Sequence, residues 1–190
     1  MGEVIRLQAG DRLRVALVSL EEFATFVRQE HYFKEEFWQH GVRPEARGGD
    51  EVLRRLGFQW HKRSSPVWGI TWFEAAAFCE SQGGRLPWYK EWQEFVVPPR
   101  PQAPQRGWFR WVGPGSPPPP ERVHPERQSG LLEWCADWYD PNFNGPEVQR
   151  PRGWPPMRRV AGRADERADP HYVGAKVGFR VVYPPQARRL

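Results

Sequence analysis

The sequence predicts an α+β domain: two principal helices against small, twisted antiparallel sheets, with more than half the chain in loops. Three observations predict it. Ser19 with Glu22 and Thr71 with Glu74 have the spacing of a capping box, in which hydroxyl and carboxylate each satisfy a backbone N–H that the helix leaves orphaned. Apolar residues recur at helical intervals just after both. Between them and around them, 21 prolines and 18 glycines in 190 residues, with a mean hydropathy of −0.77, impose irregular structure on the rest.

Taken in order, Glu3 to Leu7 and Leu13 to Val18 read as strands joined through Ala9-Gly10-Asp11. Ser19 then opens a helix whose Leu20, Phe23, Ala24 and Val27 share a face. Residues 29 to 65 are aromatic and polar, with a loop at Gly48-Gly49 and a short helical turn expected over Asp50 to Leu56. The organising stretch is Pro66 to Phe95. It reads as a strand, a helix capped by Thr71, a glycine turn, and a second short helix after Leu86-Pro87. Trp72, Ala75, Ala76 and Cys79 stand at i, i+3, i+4 and i+7, which directs one helical face to the core. Gly83-Gly84 suits the left-handed geometry that ends a helix. Nine of the prolines fall in Pro98 to Pro120, a segment expected to extend as a solvated polyproline loop. The length fits one domain, 1–190, with that segment as an internal loop.

The net charge of +5 and pI near 9.6 permit an acidic partner. Arginine supplies most of the positive charge, interleaved with Asp and Glu, so nucleic acid is not an expected partner. Arginine and proline enrichment is also consistent with a heat-adapted, thermophile-like source. No apolar run is long enough for a signal segment or a membrane span, and a cytoplasmic location is expected. Two cysteines, Cys79 and Cys135, are too few for a disulfide scaffold. They read as two buried thiols or one core disulfide, with a two-thiolate metal site as the sharper alternative. The five histidines show no ligand spacing. Eleven tryptophans divide between core filling and an exposed binding surface, since indoles give large contact area at low entropic cost.

The run PVWGITWFEAAAFCESQGGRLP followed by Glu91-Trp92 resembles the signature of the formylglycine-generating-enzyme, or sulfatase-modifying-factor, family. Leu132-Glu133-Trp134-Cys135-Ala136-Asp137-Trp138-Tyr139 is similar to its W-E-W-C-x-D-W-Y element, and Val177-Gly178-Phe179-Arg180-Val181-Val182 to its closing G-F-R-V-V strand. The resemblance implies a C-type-lectin-like fold. It also implies an oxidation of a peptide cysteine by O₂ at a copper(I) ion held by two cysteine thiolates before G-F-R. In this sequence the corresponding interval, Arg163 to Val177, has no cysteine. Family members bind calcium near G-N-V-W-E-W; here Gly130 replaces the Asn, removing an oxygen that a hard cation needs. No resident cofactor is therefore expected. Glu133 reads instead as a buried carboxylate paired with Arg85 or Arg180.

What remains is a surface. The resemblance places the ligand face on the segment before the last strand and the loop after E-W-C. There the chain presents Trp138, Tyr139, Arg163, Asp165, Glu166, His171, Tyr172 and Lys176, with Arg158, Arg159 and Arg167 beside them. Aromatic and arginine side chains in that mixture suit recognition. The expectation is a non-catalytic binding scaffold, a pseudoenzyme, for a protein or small-molecule ligand. The alternative is a metal-dependent oxidoreductase acting on a peptide cysteine or another thiol.

Overall fold

The computed structural model describes residues 3–40, 48–96, 131–139, 157–161, 165–173 and 176–185, with the backbone only at 30, 31, 95, 96, 165 and 166. The proline segment 98–120 and the Asp140–Pro156 loop lie outside these residues. Among the described residues the elements are β1 (Val4–Arg6), β2 (Arg12–Arg14), α1 (Leu20–Arg28), α2 (Gly48–Arg55), α3 (Trp72–Ser81), α4 (Tyr89–Val96), β3 (Leu132–Trp138), β4 (Arg158–Ala161), β5 (Asp165–Ala168), β6 (Val177–Gly178) and β7 (Val182–Tyr183). Short 3₁₀ turns bridge α1 to α2 and α2 to α3. The α+β reading stands, but with four α-helices rather than two.

Both capping boxes form. Ser19 Oγ accepts from the Glu22 N–H while Glu22 accepts from the Ser19 N–H, and Thr71 and Glu74 do the same for α3. Glu74 does more than cap. Both its oxygens accept from Arg55 of α2 at 2.7 Å, which fastens α2 to the start of α3. Every residue of α3 from Trp72 to Cys79 is buried, so the helix lies inside the domain instead of showing one apolar face. Phe78 packs against Phe23 and Phe26 of α1 and against Phe179, with ring centroids 5.4–6.0 Å apart. Gly83 has φ +69° and ends α3 in the left-handed region. At Gly84 the constraint is proximity: a Cβ there would lie 2.6 Å from the Val182 carbonyl oxygen.

The sheets depart from the expected antiparallel pattern. One has the order β1-β2-β7, wholly antiparallel; the other has the order β5-β4-β3-β6, in which β6 runs parallel to β3. Val177 to Val182, expected as one closing strand, divides between them. Val177–Gly178 pairs with β3, and Val182–Tyr183 pairs with β2. Phe179 to Val181 bridge the gap, their carbonyls accepting from Val18 and Arg14. Pro66 to Ile70 is likewise no strand. Pro66 makes a single bridge to Ser19, both backbone groups of Trp68 pair with the Gln59 side chain, and Gly69 turns at φ +76°. The second strand is shorter than Leu13 to Val18, because Val15 and Val18 pair one bond at a time with Glu3 and Phe179.

Candidate functional site

A cavity of about 310 Å³ opens between α3, the turn before α4, and the β3–β4 pair. Trp72, Ala76 and Glu80, at i, i+4 and i+8, form the stripe of α3 that lines it. His40 stands on the same wall, 5.3 Å from the Trp72 ring and 3.3 Å from Glu80 Oε1. Arg85, Leu86 and Trp88 come from the turn that Gly83 and Gly84 make possible; Trp88 is 47 % exposed. The far wall is Ala136, Trp138 and Arg158.

A bulge builds that far wall. Trp134 faces Val160 and Trp138 faces Arg158, so β3 advances four residues while β4 advances two. Bulges re-aim side chains and free backbone groups, and here the freed groups are used. The Cys135 carbonyl accepts the Trp72 indole N–H at 2.8 Å, and the Ala136 carbonyl accepts Arg158 Nη1 at 2.9 Å. The Arg158 guanidinium then lies between two indoles, 3.5 Å from the Trp72 ring centre and 3.4 Å from that of Trp138. Stacked and desolvated, each face makes a strong cation–π contact, which locks both rings. Arg158, expected on the open rim, is 5 % exposed.

Arg85 is fixed from two sides. It donates to Asp11 at 2.6 Å and to both oxygens of Glu91 at 2.7–2.8 Å. The hydrogen bonds it donates to Glu91 outweigh burial and raise its pKa further. Glu80 is less well served: its Oε2 is buried with no hydrogen-bond partner among the described residues.

Of the expected ligand-face residues that are described, Trp138 and Arg158 line this cavity. Tyr139 lies beside it, between Arg159 and Arg167 at 5.5 and 5.2 Å. His171 packs with its ring tilted against Phe73, centroids 4.8 Å apart, and the neighbouring Trp72 is the cavity wall. Tyr172 and Lys176 are exposed elsewhere. Asp165 and Glu166 sit on β5, and Arg163 lies outside the described residues. The residues that sequence reasoning missed are His40, Glu80, Arg85 and Trp88. The W-x-x-x-A-x-x-x-E stripe of α3 was a signal for one of them.

Residues 10–95, from β2 through most of α4, match the family described as the sulfatase-modifying factor enzyme 1-like domain. Over those residues the chain is similar to the sulfatase-modifying-factor family. No curated protein matches the chain. The match covers α3 and three of the four cavity-lining segments, and stops before β3.

The family resemblance raises copper(I) and calcium, and among the described residues neither the two cysteines nor Glu133 fits them. Cys79 and Cys135 are both free and fully buried. Cys79 packs in the main core and donates to the Arg180 carbonyl; Cys135 packs in a separate cluster with Trp92 and Ala161. Burial pushes both thiols well above their ordinary pKa, away from the thiolate that binds soft metals. Glu133 is committed to Arg180, whose Nε and Nη2 donate to its two oxygens at 2.6 and 2.9 Å. Of the two partners expected for Glu133, Arg180 is the one found.

Proposed function

We propose that this sulfatase-modifying-factor domain is a non-catalytic binding scaffold, and that its ligand seats in the cavity walled by Trp72, Trp88 and Trp138. The observation that carries the reading is the bulged β3, which with Arg158 holds two indoles rigid beside a third that is half open to solvent. Rigid aromatic walls with few polar groups are the usual make-up of small-ligand sites, and 310 Å³ lies at the small end of their range of ~300–1,000 Å³. The buried thiols, held far from thiolate character, support a scaffold over a thiol oxidase.

The test is a ligand-observed NMR screen with neutral one- and two-ring fragments. Saturation transfer from the wild type, abolished in Trp88→Ala with an unchanged melting temperature, is the expected result. Binding should persist in Cys79→Ala/Cys135→Ala. Turnover of a peptide thiol by the wild type, lost in that double variant, would overturn the reading.

A further inference from the structure

We propose that the cavity selects an organic ammonium ion, a protonated amine on a small apolar or aromatic body, with Glu80 as the group that recognises the charge. The inference rests on the cavity being a ligand site. Glu80 is on the inner stripe of α3, between walls that are mostly indole and aliphatic. One of its oxygens contacts exposed His40; the other is buried and accepts nothing among the described residues. A buried acceptor left unpaired is costly, and more so when it belongs to a carboxylate. A donor arriving with the ligand removes that cost, and a charged donor removes most of it.

The cavity's charges point the same way. Arg85 lines it, but its charge is already met by both Asp11 and Glu91. Counting those partners, three carboxylates stand against the two guanidiniums of Arg85 and Arg158. Arg158 is spent on the faces of Trp72 and Trp138. Trp88 is the exposed indole of the lining, with the Arg85 guanidinium 5.9 Å from its ring centre, and an indole face attracts an ammonium as it does a guanidinium. The small volume limits the body attached to the amine to about one ring.

Isothermal titration with three probes tests this: phenethylammonium, its neutral counterpart phenethyl alcohol, and a Gly-Lys-Gly peptide blocked at both ends. Phenethylammonium should bind about tenfold or more tighter than the alcohol, as expected for a charge-assisted hydrogen bond. Glu80→Gln keeps the shape and should erase that preference while leaving the alcohol's affinity unchanged. Equal binding of ammonium and alcohol, indifferent to Glu80→Gln, overturns the ammonium assignment and leaves the cavity as a ligand site. Binding of neither overturns both. The blocked peptide separates sources: tighter binding than phenethylammonium assigns the ammonium to a partner's lysine, and weaker binding assigns it to a free amine. Should Glu80→Gln lower the melting temperature, Glu80→Asp, which keeps the charge but withdraws it, must weaken phenethylammonium and spare the alcohol.

Discussion

Glu22 shows how one carboxylate serves two neighbours. It accepts from the Ser19 N–H and hydroxyl and from Arg14 Nη2 at 2.8–2.9 Å, tying β2 to the first turn of α1. Burial alone would raise its pKa; the hydrogen bonds from Arg14 and Ser19 outweigh burial and lower it below 4.5. A carboxyl whose pKa falls on folding contributes stability that is complete above its unfolded value. That stability is lost as the pH drops below 4.5 and through the lowered value. Melting temperatures of wild type and Glu22→Gln should therefore differ at neutral pH and converge in strong acid. A constant gap down to pH 2 would show that the charge of Glu22 is not what matters. Burial acts in the opposite sense on Tyr32 and Tyr183, whose phenols are pushed upward and stay protonated at any physiological pH.

At the scale of elements, the turn from α3 to α4 divides two jobs between adjacent glycines. Gly83 supplies the left-handed φ and has nothing within 4 Å of an added Cβ; Gly84 has ordinary φ but no room. Gly84→Ala should cost about 1–3 kcal/mol by overpacking against the Val181 side chain and the Val182 carbonyl, which cannot yield without breaking its bond from Arg85. Gly83→Ala should cost about 1 kcal/mol, through backbone strain alone. Urea denaturation of the two variants measures both. Because Arg85 and Trp88 follow directly, Gly84→Ala should also disturb the cavity and Gly83→Ala should not.

These glycines, both capping boxes and the start of α4 were legible in the sequence, since each is decided by neighbours within a few residues. The bulge in β3, the parallel pairing of β6 and the cavity were not. Each depends on partners tens of residues away: Trp72 with Cys135, Arg85 with Asp11, Arg158 with both Trp72 and Trp138. Arg158 is the plainest case. In sequence it is one of two adjacent arginines before an apolar pair; only the two indoles closing over it distinguish it from its neighbour. The tryptophans divide accordingly, with Trp38, Trp72, Trp92 and Trp134 in the core and Trp88 outside it. Trp108, Trp111 and Trp154 fall outside the described residues.

For the whole molecule, Arg180 is the junction. Its guanidinium pairs with Glu133 of β3 and also donates to the Val15 carbonyl just after β2, so a single side chain joins the two sheets. The pair is buried, at 3 % and 8 % side-chain exposure. Arg180→Ala should cost about 3–5 kcal/mol, because it strands the Glu133 charge in the interior. The double replacement Arg180→Met/Glu133→Leu should cost less than the single one, since no charge is left behind. Guanidinium denaturation of the three proteins makes the comparison; a double variant less stable than Arg180→Ala would mean that the pair itself, not its desolvation, holds the sheets.

The division of Val177–Tyr183 between the two sheets also sets an order of events during synthesis. Strands β1 to β5 leave the ribosome first, yet β2 and β3 each keep one edge unpaired until β6 and β7 emerge. Neither sheet can finish until Val177–Tyr183 has emerged. The exposed edges of β2 and β3 are open to pairing with other nascent chains for that interval. Completion then comes in one late step, in which a single short segment closes both sheets and brings Arg180 onto Glu133.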